Sequence, residues 1–194
     1  MRKAQIKRKT NETDIYISLN LDGSSNKSIN SGIGFLDHML ELFAFHSGID
    51  LDLVCSGDLN VDDHHSVEDI GIVFGECILS ALGDKRGINR YGNFYLPMDE
   101  TLARATVDIS GRSFLVFDAE FKSDRVGDLS TQMVEEFFRA LAFSAKMTLH
   151  INILYGKNDH HKVEAIFKAV ARAIKEAIYV DENNMRVQSS KGLL

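Results

Sequence analysis

The sequence predicts an α+β fold containing two copies of one unit, roughly strands, helix, strand, helix. Three observations carry this. Short stretches alternate apolar and polar residues, as half-buried strands do; longer stretches repeat apolar residues every three or four positions, as helices do; and the second half of the chain repeats the first. In order, 14–21 (DIYISLNL) reads as a strand with Ile15, Ile17, Leu19 and Leu21 on one face, ended by Asp22-Gly23. Residues 34–47 read as a helix through Phe35, Leu36, Met39, Leu40 and Phe43, with Gly48 as its C-terminal cap. Residues 49–55 alternate again. A helix follows from Asp63 to about Leu82, burying Val67, Ile70, Val73, Phe74 and Ile78 and capped by Asp62 or Asp63. The order then restarts: strands at 101–110 and 114–121, a helix at 130–146, a strand at 148–154, and a helix at 160–179 through Val163, Ile166, Phe167, Val170 and Ile174. The tail from 181 is polar.

The restart preserves residues as well as element order. ETDIYISLNLDG (12–23) and ETLARATVDISG (100–111) align at an offset of 88, LFAF (42–45) and ALAF (140–143) at 98, and NVDDHHSVEDIGIVF (60–74) and GKNDHHKVEAIFKAV (156–170) at 96. Fixed-period self-similarity in one order is the signature of an internal duplication. The halves are expected as 1–88 and 89–194, one compact domain overall, with the join near Gly87 and Gly92.

Composition bounds the function. The chain has 194 residues, one proline, 44% apolar and 26% charged residues, which suits a folded domain with a sizeable core and excludes a disordered one. No apolar run approaches the roughly 18 residues of a membrane helix. The start, MRKAQIKRKT, is basic without an apolar core and leads into a strand pattern, so neither a secretory nor a transit signal is expected. Cys55 and Cys77 form no paired motif, which points to a reduced, cytoplasmic protein with both thiols buried. A net charge of −6 disfavours nucleic acid as partner but leaves room for a small phosphate held by local cations.

Histidine is the informative residue. H-H-x-x-E occurs twice, as His64-His65-Ser66-Val67-Glu68 and His160-His161-Lys162-Val163-Glu164. On a helix, i and i+4 share a face, so His64 with Glu68, and His160 with Glu164, can each grip one ion. His65 and His161 point a quarter-turn or more away and can serve a second. Imidazole with carboxylate suits manganese, iron, zinc, cobalt or nickel better than magnesium or calcium. His38 lies on the preceding helix, and its repeat-mate is Glu136. Pseudo-symmetry then suggests one tetrad of His64, Glu68, Glu136 and His161 and another of His160, Glu164, His38 and His65, with other partitions open. The order differs from the HExxH of zinc peptidases, so hydrolysis is not implied. His46 is read as a helix-end residue near the site, and His150 as structural. Arg90, Arg112, Lys168 and Lys191 lie beside repeat landmarks, and Ser189-Ser190-Lys191 offers two hydroxyls and a cation to a phosphate.

GFLDHMLE (34–41), DDHHSVEDIG (62–71), GKNDHHKVEAIFKA (156–169) and SSKGLL (189–194) together resemble the imidazoleglycerol-phosphate dehydratase family of histidine biosynthesis, over essentially the whole chain and at the length of its monofunctional form. The resemblance implies a duplicated α+β unit of the ribosomal protein S5 domain 2 type, with two sheets backed by helices. It implies two manganese ions per active site and a 24-subunit homo-oligomer with sites at subunit interfaces. Its ligand positions fall on His38, His64, His65, Glu68, His160, His161 and Glu164. Its substrate positions fall on Glu12, Arg90, Arg112, Lys168, Ser190 and Lys191, to which Ser189 and His38 are added as neighbours of the substrate. Glu12, Glu164 and His65 are the expected catalytic residues, with Glu12 as the proton shuttle and its repeat-mate Glu100 structural. One position departs from the pattern: where the family often has V-x-H-F-F, this chain has Val134-Glu135-Glu136-Phe137-Phe138. A carboxylate can replace imidazole at manganese.

The implied reaction removes water from imidazoleglycerol phosphate and gives imidazoleacetol phosphate. The carbon-bound proton lacks a neighbouring carbonyl. A ring held by metals at both nitrogens as imidazolate can instead expel the adjacent hydroxyl, give a diazafulvene-type intermediate, and so acidify that C–H. Two other readings use the same histidines: a metal-storage or sensing protein, which needs no phosphate-binding residues, and a binuclear hydrolase, which needs open coordination positions.

Overall fold

The computed structural model describes residues 2–194. The elements are β1 (Lys3–Lys9), β2 (Thr13–Asn20), β3 (Lys27–Asn30), α1 (Gly34–Ser47), β4 (Asp50–Gly57), α2 (His64–Leu82), β5 (Tyr91–Met98), β6 (Thr101–Asp108), β7 (Phe114–Asp118), β8 (Arg125–Val126), β9 (Leu129–Ser130), α3 (Gln132–Ser144), β10 (Thr148–Tyr155) and α4 (Asp159–Ala177). One sheet runs β1-β2-β4-β3 and the other β5-β6-β10-β7. In each, three strands are antiparallel and the last pair is parallel, β3 with β4 and β7 with β10. The repeat seen in the residues is therefore a repeat of topology, strand for strand. The second unit adds the short β8–β9 hairpin between β7 and α3.

Every strand and helix expected above forms, with ends shifted by a few residues. Five strands escaped the reading, two of them the residue pairs of the β8–β9 hairpin. β1 (KAQIKRK) is an edge strand whose outward lysines blunt it against further pairing and whose buried contribution is Ala4, with Ile6 half-buried. β3 is four residues long. β5 carries Pro97, tolerated because it too lies on an edge.

α2 covers β1 and β2, α1 lies against β3, α4 covers β5 and β6, and α3 lies against β7; α2 then packs on α3 and α1 on α4. The result is four layers, with both helix pairs between the two sheets. The interior is aromatic at its centre: Phe137, Phe138 and Phe167 stack with centroids 4.8–5.3 Å apart, and Phe43 meets Phe74 edge-on. Gly71 and Gly75 let α2 approach α3 so closely that a Cβ at Gly75 would stand 2.6 Å from the Leu141 carbonyl oxygen. Gly48 caps α1 in the left-handed region (φ 83°), its N–H reaching the Ala44 carbonyl. Among the described residues no helix is long and apolar enough to cross a membrane.

Candidate active site

The two HHxxE motifs open α2 and α4, the helices buried deepest between the sheets. At α2, Asp62 accepts the His64 N–H at 2.8 Å. Asp63 is drawn away: its carboxylate accepts the Ser130 N–H and pairs with Arg125, tying the hairpin to this helix end. At α4, Asn158 accepts the N–H groups of His160 and His161. Sequence reasoning assigned α2 to either aspartate and missed Asn158, which lies in a motif position (N-D-H-H) where an N-cap is legible.

The i,i+4 pairing is realised in both copies. His64 Nε2 lies 3.6 Å from Glu68, and His160 Nε2 3.1 Å from Glu164. α1 delivers His38, whose Nε2 stands 3.8 Å from the same Glu164 oxygen. Burial pushes the Glu164 carboxyl up, but hydrogen bonds from Lys168 and His160 outweigh it and hold the group below the usual carboxylate range. Glu164 is thus an ionised, nearly buried acceptor facing two imidazoles. Lys168 is engaged here and does not line the cationic cavity described below. Glu136 faces Arg139 at 3.5 Å.

His65 and His161 occupy the other side of their helices, each against acids. His65 Nδ1 lies 3.0 Å from Asp58, and its Nε2 3.8 Å from Glu12. His161 Nδ1 lies 2.8 Å from Glu100, and its Nε2 3.7 Å from Asp99. The Asp58 and Glu100 hydrogen bonds raise both imidazole pKa values. A carboxylate holding Nδ1–H fixes the tautomer with its lone pair on Nε2, the usual outer-shell arrangement of a metal-ligating histidine. A metal would compete with a proton for that nitrogen. Asp58 carries no signal in the sequence, since it lies in a polar turn.

The two glutamates at the repeat-mate positions differ. Glu100 accepts the N–H groups of Lys157 and Asn158 at 2.9 and 2.8 Å as well as His161, and these bonds press its pKa far below normal. Glu12 has no such anchors, and its side chain is 53% exposed. Glu100 is a structural acceptor, while Glu12 presents an unanchored carboxylate.

Arg90, Arg112, Ser189, Ser190 and Lys191 meet in a cavity of about 670 Å³ that also receives Lys85 and Lys146. Arg90 is held by Asp108 at 2.7 Å and by the Gln188 carbonyl. Lys85, Lys146 and Asp108 are the residues sequence reasoning missed here. His46 ends α1; burial, then Lys168 and Arg172, lower its pKa. His150 is exposed on the outer face of β10. Among the described residues no three metal-ligating side chains form a closed cage. The donor chemistry nonetheless fits a divalent transition metal: imidazole nitrogens and ionised carboxylates, in symmetry-related sets.

A duplicated α+β scaffold with paired imidazole–carboxylate helices and a separate cationic cavity defines an enzyme class that handles a small anionic substrate. The model of the imidazoleglycerol-phosphate dehydratase family matches residues 31–174. The chain is 60% identical to the imidazoleglycerol-phosphate dehydratase of Clostridium botulinum over 193 residues, covering 100% of this chain and 98% of that one. It is 56% identical to that of Streptococcus sanguinis, covering both in full. Among solved structures, imidazoleglycerol-phosphate dehydratase from Staphylococcus aureus superposes with a TM-score of 0.84 at 47% identity, covering 92% of this chain and 99% of that one. The Pyrococcus furiosus structure gives 0.84 at 36%, covering 97% and 100%. The chain belongs to the imidazoleglycerol-phosphate dehydratase family, a family of hydro-lyases.

Proposed function

We propose that this chain dehydrates imidazoleglycerol phosphate to imidazoleacetol phosphate in histidine biosynthesis, as a cytoplasmic enzyme with two manganese ions per site. The observation that carries the reading is the doubling of one imidazole–carboxylate set by the internal repeat, which suits a substrate ring with two nitrogens. His64, Glu68, Glu136 and His161 would hold one ion, and His38, His160, Glu164 and His65 the other. Bound there, two such ions would supply Lewis acidity that favours loss of the ring N–H proton, so that the substrate's ring is held as an electron-rich imidazolate.

The remaining work falls to the chain. Arg90, Arg112, Ser189, Ser190 and Lys191 grip the phosphate and fix the carbon chain relative to the ring. With such a ring the hydroxyl on its adjacent carbon would be the leaving group, through the diazafulvene-type species expected for an electron-rich imidazole. Glu12, unanchored beside His65, moves the proton between the next carbon and the departing hydroxyl, so that water leaves and an enol becomes the ketone. Lys168 holds Glu164 ionised. The partial donor sets on one chain support completion of each site by another copy, in a homo-oligomer of 24 subunits.

The test is turnover by protein stripped of metal and then refilled with manganese. Manganese-dependent imidazoleacetol phosphate is the expected result. Stoichiometric metal binding without turnover, unrescued by Glu136→His, would favour the storage reading instead.

A further inference from the structure

The repeat-mate glutamates Glu12 and Glu100 are each followed by a threonine, Thr13 and Thr101, and both threonines are buried. A threonine hydroxyl has one proton to donate. In the second unit Thr101 Oγ1 gives it to Glu100 Oε1 at 3.1 Å, one more bond among those that pin that carboxylate. In the first unit Thr13 Oγ1 gives it to Asp69 Oδ2 at 2.6 Å. Glu12 receives none: among the described residues its carboxylate accepts no hydrogen bond, and His65 Nε2 stands 3.8 Å off.

The difference traces to two positions. Asp69 follows Glu68 on α2, and its repeat-mate on α4 is Ala165. Arg8 of β1 holds Asp69 in place, its guanidinium 2.5 Å from Oδ1. The repeat-mate of Arg8 is Leu96 of β5. Strand register bears out the match, since Arg8 pairs with Ile15 and Leu96 with Ala103, each residue 88 positions from its counterpart. An ion pair thus stands in the first unit where the second has two buried apolar residues, Leu96 and Ala165. Buried ion pairs are seldom more stabilising than apolar residues in the same space, so stability gives little reason for the first unit to keep one.

The loops act in the same sense. Six residues (58–63) separate β4 from α2, and three (156–158) separate β10 from α4. The short loop turns the N–H groups of Lys157 and Asn158 onto Glu100. The long one places the Asp58 N–H on the Glu12 backbone carbonyl at 3.1 Å. Its Asp58 carboxylate takes His65 Nδ1, the task that Glu100 performs for His161. Thr10 Oγ1 accepts the Glu12 and Thr13 N–H groups at 3.1 and 3.0 Å. The Glu12 backbone is therefore fixed on both sides of its Cα, and its side chain is not.

We propose that Asp69 is the positioning residue that keeps the Glu12 carboxylate free to swing, by claiming the Thr13 hydroxyl that would otherwise pin it as Thr101 pins Glu100. The proposal rests on the proposed function for the role of Glu12 as proton carrier; the exchange of hydrogen-bond partners does not.

The main variant is Arg8→Leu/Asp69→Ala. It writes the second unit's residues into the first and should fold, since the scaffold already carries them once. Its crystal structure, without substrate, should show the Glu12 carboxylate within hydrogen-bond distance of Thr13 Oγ1, as Glu100 is of Thr101. Loaded with manganese, it should lose about tenfold in kcat with KM for imidazoleglycerol phosphate within about twofold of wild type, the size of one hydrogen bond to a charged group. Adding Thr13→Val removes the donor and should restore most of kcat, which a merely structural defect would not allow. Asp69→Asn keeps an acceptor for Thr13 and weakens the pair with Arg8, so it should lower the melting temperature and leave kcat near wild type. Glu12 standing apart from Thr13 in the variant structure, a kcat loss that Thr13→Val does not restore, or Asp69→Asn as slow as Arg8→Leu/Asp69→Ala would each overturn the proposal. Glu12 pinned to Thr13 with undiminished turnover would refute Glu12 as proton carrier and leave the exchange standing. A protein without dehydratase turnover would fail the functional reading alone, and the crystal structure would still decide.

Discussion

Glu12 and Glu100 are repeat-mates at the start of equivalent strands, and the structure separates them by anchoring. Replacing each with glutamine turns that difference into a measurement. Glu12→Gln keeps shape and removes a proton carrier. Its side chain is about half exposed and its nearest charged neighbour, His65 Nε2, is 3.8 Å away, so stability should change by no more than about 0.5 kcal/mol. Loss of a general acid–base group costs roughly 10²–10⁴ in rate, about 3–5 kcal/mol of barrier. Glu100→Gln removes the charge that holds two backbone N–H groups and His161. It should lower the melting temperature and loosen the α4 N-terminus while leaving the greater part of kcat. The assay is steady-state formation of imidazoleacetol phosphate at saturating manganese, with metal content and thermal melts run in parallel. A Glu12→Gln enzyme within about threefold of wild-type kcat would refute the shuttle, as that loss corresponds to less than 1 kcal/mol. A Glu100→Gln enzyme slower than Glu12→Gln would reverse the assignment.

Three further outcomes follow from the geometry. Gly75→Ala puts a Cβ 2.6 Å from the Leu141 oxygen and 2.8 Å from the Ser144 Cβ; overpacking of about 1–3 kcal/mol should exceed the ~1 kcal/mol gained in helix propensity, and a higher urea midpoint than wild type would contradict it. Asp128→Ala frees the N–H groups of Gly34 and Phe35 at the start of the helix carrying His38; a loss of about 1 kcal/mol in denaturation, with weaker manganese binding by titration calorimetry, is expected, and unchanged values for both would count against a positioning role. The Ser24 and Asn26 N–H groups and the Asn20 amide hold the Asp50 carboxyl below its ordinary value; a depressed carboxylate stabilises above its unfolded pKa of about 3.9 and stops doing so as pH falls through the folded one, so Asp50→Asn should flatten the loss of stability below pH 4, and identical acid limbs would remove Asp50 as a contributor.

What was legible in the residues is what periodicity and repetition encode. The helices appeared because Val67, Ile70, Val73, Phe74 and Ile78 recur at helical spacing, and all are buried. The duplication appeared because offsets of 88–98 survive in the strand, the helix and the HHxxE motifs alike. The i,i+4 pairs His64–Glu68 and His160–Glu164 needed only helix geometry, as did the Gly48 cap. The edge strands β1 and β5 did not appear, because an edge strand half in solvent has no clean alternation. Asp58, Asp99 and Asp108 did not appear because their partners come from other elements, and polar turn residues look alike until the fold brings them beside a histidine or arginine. Lys85 and Lys146 were hidden for a further reason. Lysine is ordinarily exposed, and neither the burial of one nor the left-handed backbone of both is written in its neighbours.

The duplication also explains why the site departs from symmetry where it does. Two copies of one unit give matching helices and matching His–carboxylate pairs, while the Nδ1 acceptors of His65 and His161 come from non-equivalent positions, Asp58 and Glu100. The copies also diverge at His38 against Glu136, unanchored Glu12 against anchored Glu100, and Gly48 against Lys146. An imidazole is nearly symmetric in its two nitrogens, so equivalent pairs suit its ring. The rest of such a substrate has one leaving hydroxyl, one acidic C–H and one phosphate. A proton carrier and an anion cavity are each needed once. In the proposed reaction, keeping a carrier in the first unit, pinning its mate in the second, and building the cationic cavity from Arg90, Arg112 and the tail would let a repeated scaffold hold a ring evenly and act on its chain at one end only.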